Sequence, residues 1–463
     1  MSISDTKNID LSLLSLDFTA LSKLISQGQI SAAELFAQHQ QAAVKLNPAL
    51  NAFININTSK NSEGPNLTGA LHGLALGVKD NIDVSDLPTT AGLEIRRHHL
   101  PDNDAFVISQ LKQAGSAIVG KLNMHEGALG ASNHNAHFGH CYNPHQLGYT
   151  PGGSSGGSGA AVAACIVPIA LGTDTMGSVR IPASYCGVFG LKPSRGAVSN
   201  RGSVPCGKVL DSIGPLARSV RDLQLIYPYM VAYDAASISS ERMVFTPYAP
   251  KKPVLLVPDD LQAFNVDASI ISDFNANLAA WQDLGCEIRY FQLADFDTTK
   301  ARRAGLLICE ADMRIEYAAE WKNKRELFSN YLSALLSFID TKSALDLTKA
   351  HDVVTLAKLQ ARSWLEQGDY LLLPTTLQRA FNMQDAIPAN QADFTSIANF
   401  AGLPALSLPM LSSASTSSFQ LPAGMQLVGK VGSDFELLDL AAKWQQLTDY
   451  NYNVNSAIKA LYQ

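Results

Sequence analysis

Charge is scarce in this chain. Of its 463 residues only 16% are Asp, Glu, Lys or Arg and 46% are hydrophobic, against about 25% charged in an ordinary soluble domain. Such a chain can bury a large core. Its net charge of −6 excludes a broad cationic surface for nucleic acid or an anionic membrane. Cysteine is sparse too. Cys141, Cys165, Cys186, Cys206, Cys286 and Cys309 are scattered with no C-x-x-C pair, which reads as reduced apolar residues rather than disulfides or zinc ligands. Long apolar runs are missing: the longest, Ala160 to Leu171, is too short to span a bilayer and contains Pro168. Asp5, Lys7, Asp10 and Asp17 interrupt the region where a secretion signal needs a continuous apolar core. A cytoplasmic protein with no membrane association is expected.

Several catalytic signatures are absent as well. Gly152 to Gly157 is followed by Ser158 and Gly159, without the lysine of a phosphate-binding loop. Ser178 lacks the G-x-S-x-G elbow of a histidine-based hydrolase. His125, His134, His137, His140 and His145 cluster near Glu126 and Cys141, but in a polar Asn/Pro/Gly-rich stretch whose spacing matches no zinc pattern. Neither a metal nor any other cofactor is expected.

What is present alternates between helix and strand. Phe18 to Ile25 and Ser31 to Leu46 have helical spacing, with Ser31 and Glu34 as a capping box. Asn51 to Asn57 alternates as a strand, Ser59 to Leu67 is a polar loop, and Leu71 to Asp83 is a strand-like run carrying Lys79. Helix Asp104 to Ala114 leads to strand Ala117 to Gly120. Strand Val254 to Val257, a helix through Ile271 and Trp281, and strand Glu287 to Tyr290 repeat the unit. Helices are expected over Leu306 to Trp321, Leu327 to Ile339 and Leu347 to Gln367, then a strand Tyr370 to Pro374. Phe394 to Pro409 reads as helix, turn and strand, Ser412 to Ser418 as a low-complexity loop, and Met425 to Val428 with Phe435 to Leu447 as a closing strand and helix. This alternation implies an α/β protein with a largely parallel or mixed sheet covered by helices. There is no repeat of fixed period.

The chemistry concentrates between Gly148 and Gly196, where two Gly-Ser turns flank short apolar segments. Gly152 to Ser158 leads into small residues, Ala160 to Ala164, that read as a tightly packed helix; Thr173 to Ser178 follows the apolar run Ile166 to Leu171. Glycines beside a serine allow a sharp turn that presents a hydroxyl while backbone N–H groups face a ligand. Lys79, among Leu74, Leu76, Val78 and Ile82, reads either as a snorkelling surface side chain or, if buried, as an amine that loses its proton readily and serves as a base.

At these residues the chain resembles the amidase signature family. The match lies in G-G-S-S-G-G-S at Gly152 to Ser158, T-D-x-x-G-S-x-R-x-P-A at Thr173 to Ala183, and C-G-V-x-G-L-K-P at Cys186 to Pro193. It extends to Gly77 to Asn81, Leu87 to Gly92, Gly120 to Asn123, Asp211 to Pro215, Gly402 to Ala405 and Leu421 to Gln426; Phe245 to Asp369 carries no such motif.

The resemblance implies a single large α/β/α sandwich with a mixed central sheet: a helical entry at 1–70, a signature core at 71–240, a variable, partly helical substrate-side region at 241–380 and a C-terminal return at 381–463. It also implies a Ser-cisSer-Lys triad. Ser178 is the nucleophile, Ser154 the bridge on a cis peptide bond and Lys79 the base. Backbone N–H groups of Thr175, Met176, Gly177 and Ser178 would hold the oxyanion. Ser155 is expected to hydrogen-bond Lys79, and Asp174 and Arg180 to pair and brace the turn. Met176 departs from the glycine or alanine of many relatives and, with Cys206, is a candidate pocket residue.

The activity implied is hydrolysis of a small carboxylic amide to acid plus ammonia or amine, with that amide as the expected partner, no nucleic acid or membrane expected, and a homodimer left open. The alternatives are the glutaminase component of a tRNA-dependent amidotransferase, a hydrolase of urea-derived carboxylates such as allophanate or carboxybiuret, and a catalytically silent binding protein. Asn123 to Gly130 departs from the aspartate and aromatic pattern of that glutaminase component. Substrate contacts are expected from the region without motifs.

Overall fold

In a computed structural model that describes residues 9–58, 69–245, 250–293, 296–412 and 420–463, the alternating segments assemble into one open sheet of eleven strands. These are β1 Phe53–Ile56, β2 Ala75–Lys79, β3 Ala117–Leu122, β4 Ile169–Asp174, β5 Phe189–Lys192, β6 Ser212–Ala217, β7 Val254–Pro258, β8 Glu287–Phe291, β9 Tyr370–Pro374, β10 Ala405–Pro409 and β11 Gly424–Val428. Their spatial order is β1-β3-β2-β4-β6-β5-β10-β11-β9-β7-β8. The pairs β3/β2, β2/β4, β9/β7 and β7/β8 are parallel and the remaining six antiparallel, so the sheet is mixed. Its central strands are buried along their whole length, as strands covered on both faces must be.

Helices cover the sheet. Gly156–Ala163 packs on β4 and β2 and Arg180–Cys186 on β10 and β5, while Ala268–Asp283 lies on β8 and β9. The small residues of Gly156–Ala163 are all buried, so that helix, which the first Gly-Ser turn opens, sits tightly against β4, which leads into the second turn, and β2, which carries Lys79. The Ser31/Glu34 capping box forms at the start of helix Ala32–Leu50, with Glu34 N–H donating to Ser31 Oγ at 3.1 Å.

One helix expected from sequence differs from the fold. The helix expected from Leu306 starts earlier, at Thr298, because Asp297 caps it by accepting the Lys300 N–H at 2.7 Å. It breaks at Tyr317, and Ala318–Asn323 follows as a separate turn of helix. The segment Ser212 to Ala217, to which sequence assigns no element, is a central strand, β6. A side chain at Gly214 would meet the Leu191 carbonyl oxygen at 2.0 Å, so glycine lets β5 pass. The loop expected at Ser59 to Leu67, and all of Ser412 to Ser418 but Ser412 itself, lie outside the described residues. Among the described residues no helix is long and apolar enough to cross a membrane.

Sheet register positions the chemistry. β2 and β4 run parallel with Val78 opposite Leu171, so both strands reach the same edge, where one ends at Lys79 and the other at Asp174. β6 runs antiparallel to β4 with Ser212 opposite Asp174, which delivers Asp211 to that edge.

Candidate active site

Lys79 is fully buried, so the snorkelling alternative does not apply. Its Nζ lies 2.7 Å from Ser154 Oγ and 2.7 Å from Thr173 Oγ1, with the Thr173 carbonyl oxygen at 3.4 Å. Burial disfavours the ammonium form and lowers its pKa to about 7, against the opposing attraction of Cys206, Asp211 and Asp174. As a neutral amine Lys79 keeps two N–H donors for the two Thr173 oxygens and one lone pair for the Ser154 hydroxyl. The Gly153–Ser154 peptide bond is cis.

Thr173 carries no assignment from sequence, although it opens the second serine motif. Its Oγ1 also accepts from Asn81 Nδ2 at 3.1 Å. Ser155 takes a different place from the one expected of it: its Oγ donates to the Thr173 carbonyl at 3.2 Å and accepts the Thr173 N–H at 3.3 Å. It therefore supports Lys79 through Thr173 and not by a bond of its own.

Ser178 is 9% exposed and lies at the mouth of the second turn, where its carbonyl accepts the Ser155 N–H at 3.3 Å. Among the described residues no hydrogen bond engages its hydroxyl. Of the four expected oxyanion donors, Gly177 is already engaged, donating its N–H to Asp174 Oδ1 at 2.7 Å. The N–H groups of Thr175, Met176 and Ser178 have no acceptor among the described residues, so three donors and not four are open to a ligand.

Asp174 and Arg180 form a doubly hydrogen-bonded pair, Nε to Oδ2 and Nη2 to Oδ1, both at 3.0 Å and with neither side chain exposed. Burial alone would raise the Asp174 pKa; the Arg180 charge and hydrogen bonds outweigh it and hold it at about 2. Arg180 also reaches Gln426 Oε1 and Asn399 Oδ1, each at 2.7 Å, and Asn399 Nδ2 donates to Asp174 Oδ1 at 2.9 Å. Neither Gln426 nor Asn399 has a role that sequence assigns. Replacing Arg180 by alanine leaves a buried carboxylate uncompensated, and a loss of about 3–5 kcal/mol is expected in urea denaturation.

Asp211 closes the other side of the turn. It accepts from Thr175 Oγ1 at 2.5 Å and from the N–H groups of Cys206 at 2.9 Å and Gly207 at 3.2 Å. Burial raises its pKa to about 6, less than it would without those bonds.

A cavity of about 310 Å³ opens off Ser178 and is lined also by Thr175, Met176 and Cys206. Met176 reaches the helix Thr298–Glu316, where a side chain on Gly305 would meet its Sδ at 2.9 Å. The methionine occupies room that this glycine leaves.

The histidines stand apart from this hydroxyl–amine pair. His125 is 1% exposed and burial lowers its pKa to about 3, so its ring is neutral; no partner engages either ring nitrogen among the described residues. His134 bonds Ser132 and the Met383 carbonyl, His137 faces Glu126 at 3.2 Å, and His145 bonds the Cys186 carbonyl. Among the described residues no three His, Cys, Asp or Glu side chains are grouped to hold a metal ion.

A family model described as Amidase matches residues 31–438. The chain is 32% identical over 479 aligned residues to the A subunit of the glutamyl-tRNA(Gln) amidotransferase from Legionella pneumophila (strain Paris), covering 93% of this chain and 97% of that protein. Among solved structures it is similar to the A subunit of the Thermotoga maritima glutamyl-tRNA(Gln) amidotransferase, with 28% identity and a TM-score of 0.80 over 95% of this chain and 96% of that one. A structure described as an amidase aligns with 27% identity and a TM-score of 0.81 over 94% and 100%.

Proposed function

The chain belongs to the amidase family, and from that premise we propose that it hydrolyses a carboxylic acid amide through an acyl-enzyme on Ser178. Ser178 Oγ attacks the amide carbonyl carbon as its proton passes to Ser154, whose own proton passes to Lys79. The resulting oxyanion is held by the N–H groups of Thr175, Met176 and Ser178. Breakdown of this intermediate cleaves the C–N bond, with the proton returned from Lys79 through Ser154 to the departing nitrogen. Water then attacks the acyl-enzyme by the same proton route and releases the acid.

The observation that carries this reading is the fully buried Lys79 amine, with its pKa lowered to about 7, at 2.7 Å from Ser154 Oγ. A base with a pKa near the working pH is half unprotonated there and still strong enough to accept a proton. The reading is tested by assaying ammonia release from aliphatic, aryl and amino-acid amides, ureas and carboxyureas. Release from none of them by folded protein would reject it.

The Thr173 hydroxyl gives a second test. Hydrogen bonds to an amine favour its protonated form, so Thr173→Val is expected to shift the acid limb of the kcat/KM profile below pH 7. It is also expected to lower kcat by about tenfold to a hundredfold, because the amine loses its orientation. An unmoved limb would separate Thr173 from the base.

A second reading is favoured by the curated relatives, which at 32% identity include a component of a glutamyl-tRNA(Gln) amidotransferase. On that reading the chain releases ammonia from glutamine in a complex. Ammonia release from glutamine that depends on tRNA and on a co-purifying partner would establish it; turnover of small amides by the isolated chain favours the free-standing hydrolase.

A further inference from the structure

Few polar groups in the cavity beside Ser178 are free to meet a substrate. The Thr175 hydroxyl donates to Asp211, and Gln391 accepts from the Tyr185 hydroxyl at 3.3 Å and donates to the Pro388 carbonyl at 3.0 Å. The lining is otherwise mostly apolar, and Arg302 is its one charged residue among those described. The Arg302 side chain is 12% exposed, and its Nε donates to Asp393 Oδ1 at 2.5 Å. Its two terminal amino groups have no acceptor among the described residues.

Asp393 holds the guanidinium in place without closing off that fork. Its second oxygen accepts from Thr299 Oγ1 at 2.8 Å, in the first turn of the helix Thr298–Glu316. The positive end of a helix of 19 residues there offsets the carboxylate charge. Asp393 therefore sets the orientation of Arg302, and the planar pair of terminal amino groups remains. Such a pair matches the two oxygens of a carboxylate better than it matches a single acceptor.

On the footing of the amidase reading, we propose that Arg302 anchors a carboxylate at the end of the substrate away from the scissile bond. The substrate is then an amide that also bears a carboxylate, joined by a short apolar segment that runs past Met176 and Leu306. Arg302 lies in the stretch without family motifs, which accords with specificity carried outside the catalytic core.

The test uses two fluorophosphonates of equal tail length, one ending in a carboxylate and the other in a methyl group, and reads the second-order rate of Ser178 labelling. The wild-type protein is expected to react about 10- to 100-fold faster with the carboxylate-ended probe, the range for a hydrogen bond to a charged group. Arg302→Met is expected to bring the ratio near one, and Arg302→Lys, which keeps the charge but loses the fork, to an intermediate value. A wild-type ratio of one or less overturns the inference, as does a ratio that Arg302→Met leaves unchanged. If Arg302→Met fails to fold, the wild-type and lysine ratios still decide. Failure of both probes to label folded wild-type protein would instead reject the amidase reading beneath it.

Discussion

Ser178→Ala is expected to abolish labelling by fluorophosphonates and to cut amide turnover by at least about 10⁴-fold, the scale seen when a serine nucleophile is removed. Ser178 lines the cavity, and among the described residues its hydroxyl has no other engagement. Nothing in the fold is lost with it, so circular dichroism and the melting temperature should stay close to wild type. Peptide mapping of the labelled wild-type protein should place the phosphonate on Ser178. A label on Ser154, or persistence of labelling in the alanine variant, would reverse the roles given to the two serines.

Lys79→Met is expected to reduce turnover by about 10³- to 10⁴-fold while raising stability near neutral pH. The catalytic loss follows from removing the proton acceptor while leaving a side chain of similar length. The gain in stability follows from linkage. A lysine whose folded pKa is lowered to about 7 from 10.5 binds a proton more readily unfolded than folded across that interval. Unfolding therefore takes up protons there, and lysine destabilises the native state most at and below pH 7. The penalty shrinks as pH rises toward 10.5, by up to about 1.4 kcal/mol per pH unit. Methionine does not titrate, so the variant's advantage in urea denaturation is expected to narrow from pH 7 to 10. A constant advantage, or a less stable variant, would show that the lysine is not held in its neutral form. The same titration predicts wild-type activity rising with pH through about 7 and levelling once the amine is neutral.

How much of the site was legible in the sequence depended on whether a residue's role is local. The strand that ends on Lys79 and the two serine turns were readable because apolar runs bounded by Gly-Ser motifs leave few local conformations. Thr173 and Asp211 stood inside motifs but carried no assignment. Their side chains act on partners brought in by other strands: Thr173 meets a lysine 94 residues away, and Asp211 meets Thr175 across the β4/β6 pair. Asn399 and Gln426, which complete the buried Asp174–Arg180 cluster, are 219 and 246 residues from Arg180. The first two turns of the helix beginning at Thr298 were hidden because Lys300, Arg302 and Arg303 dilute its apolar stripe.

The sequence by itself determined the α/β class, the family, the two serine turns and the lysine, because residue type and spacing within short segments suffice for each. Only the tertiary structure decided that Ser155 reaches Lys79 through Thr173, that Gly177 is engaged by Asp174, and that Arg302 lines the cavity beside Ser178. The first depends on how the helix Gly156–Ala163 packs on β4 and the third on where the helix Thr298–Glu316 lies, contacts between residues separated in the chain; the second is a contact three residues apart inside one turn, whose shape the residue types alone do not fix.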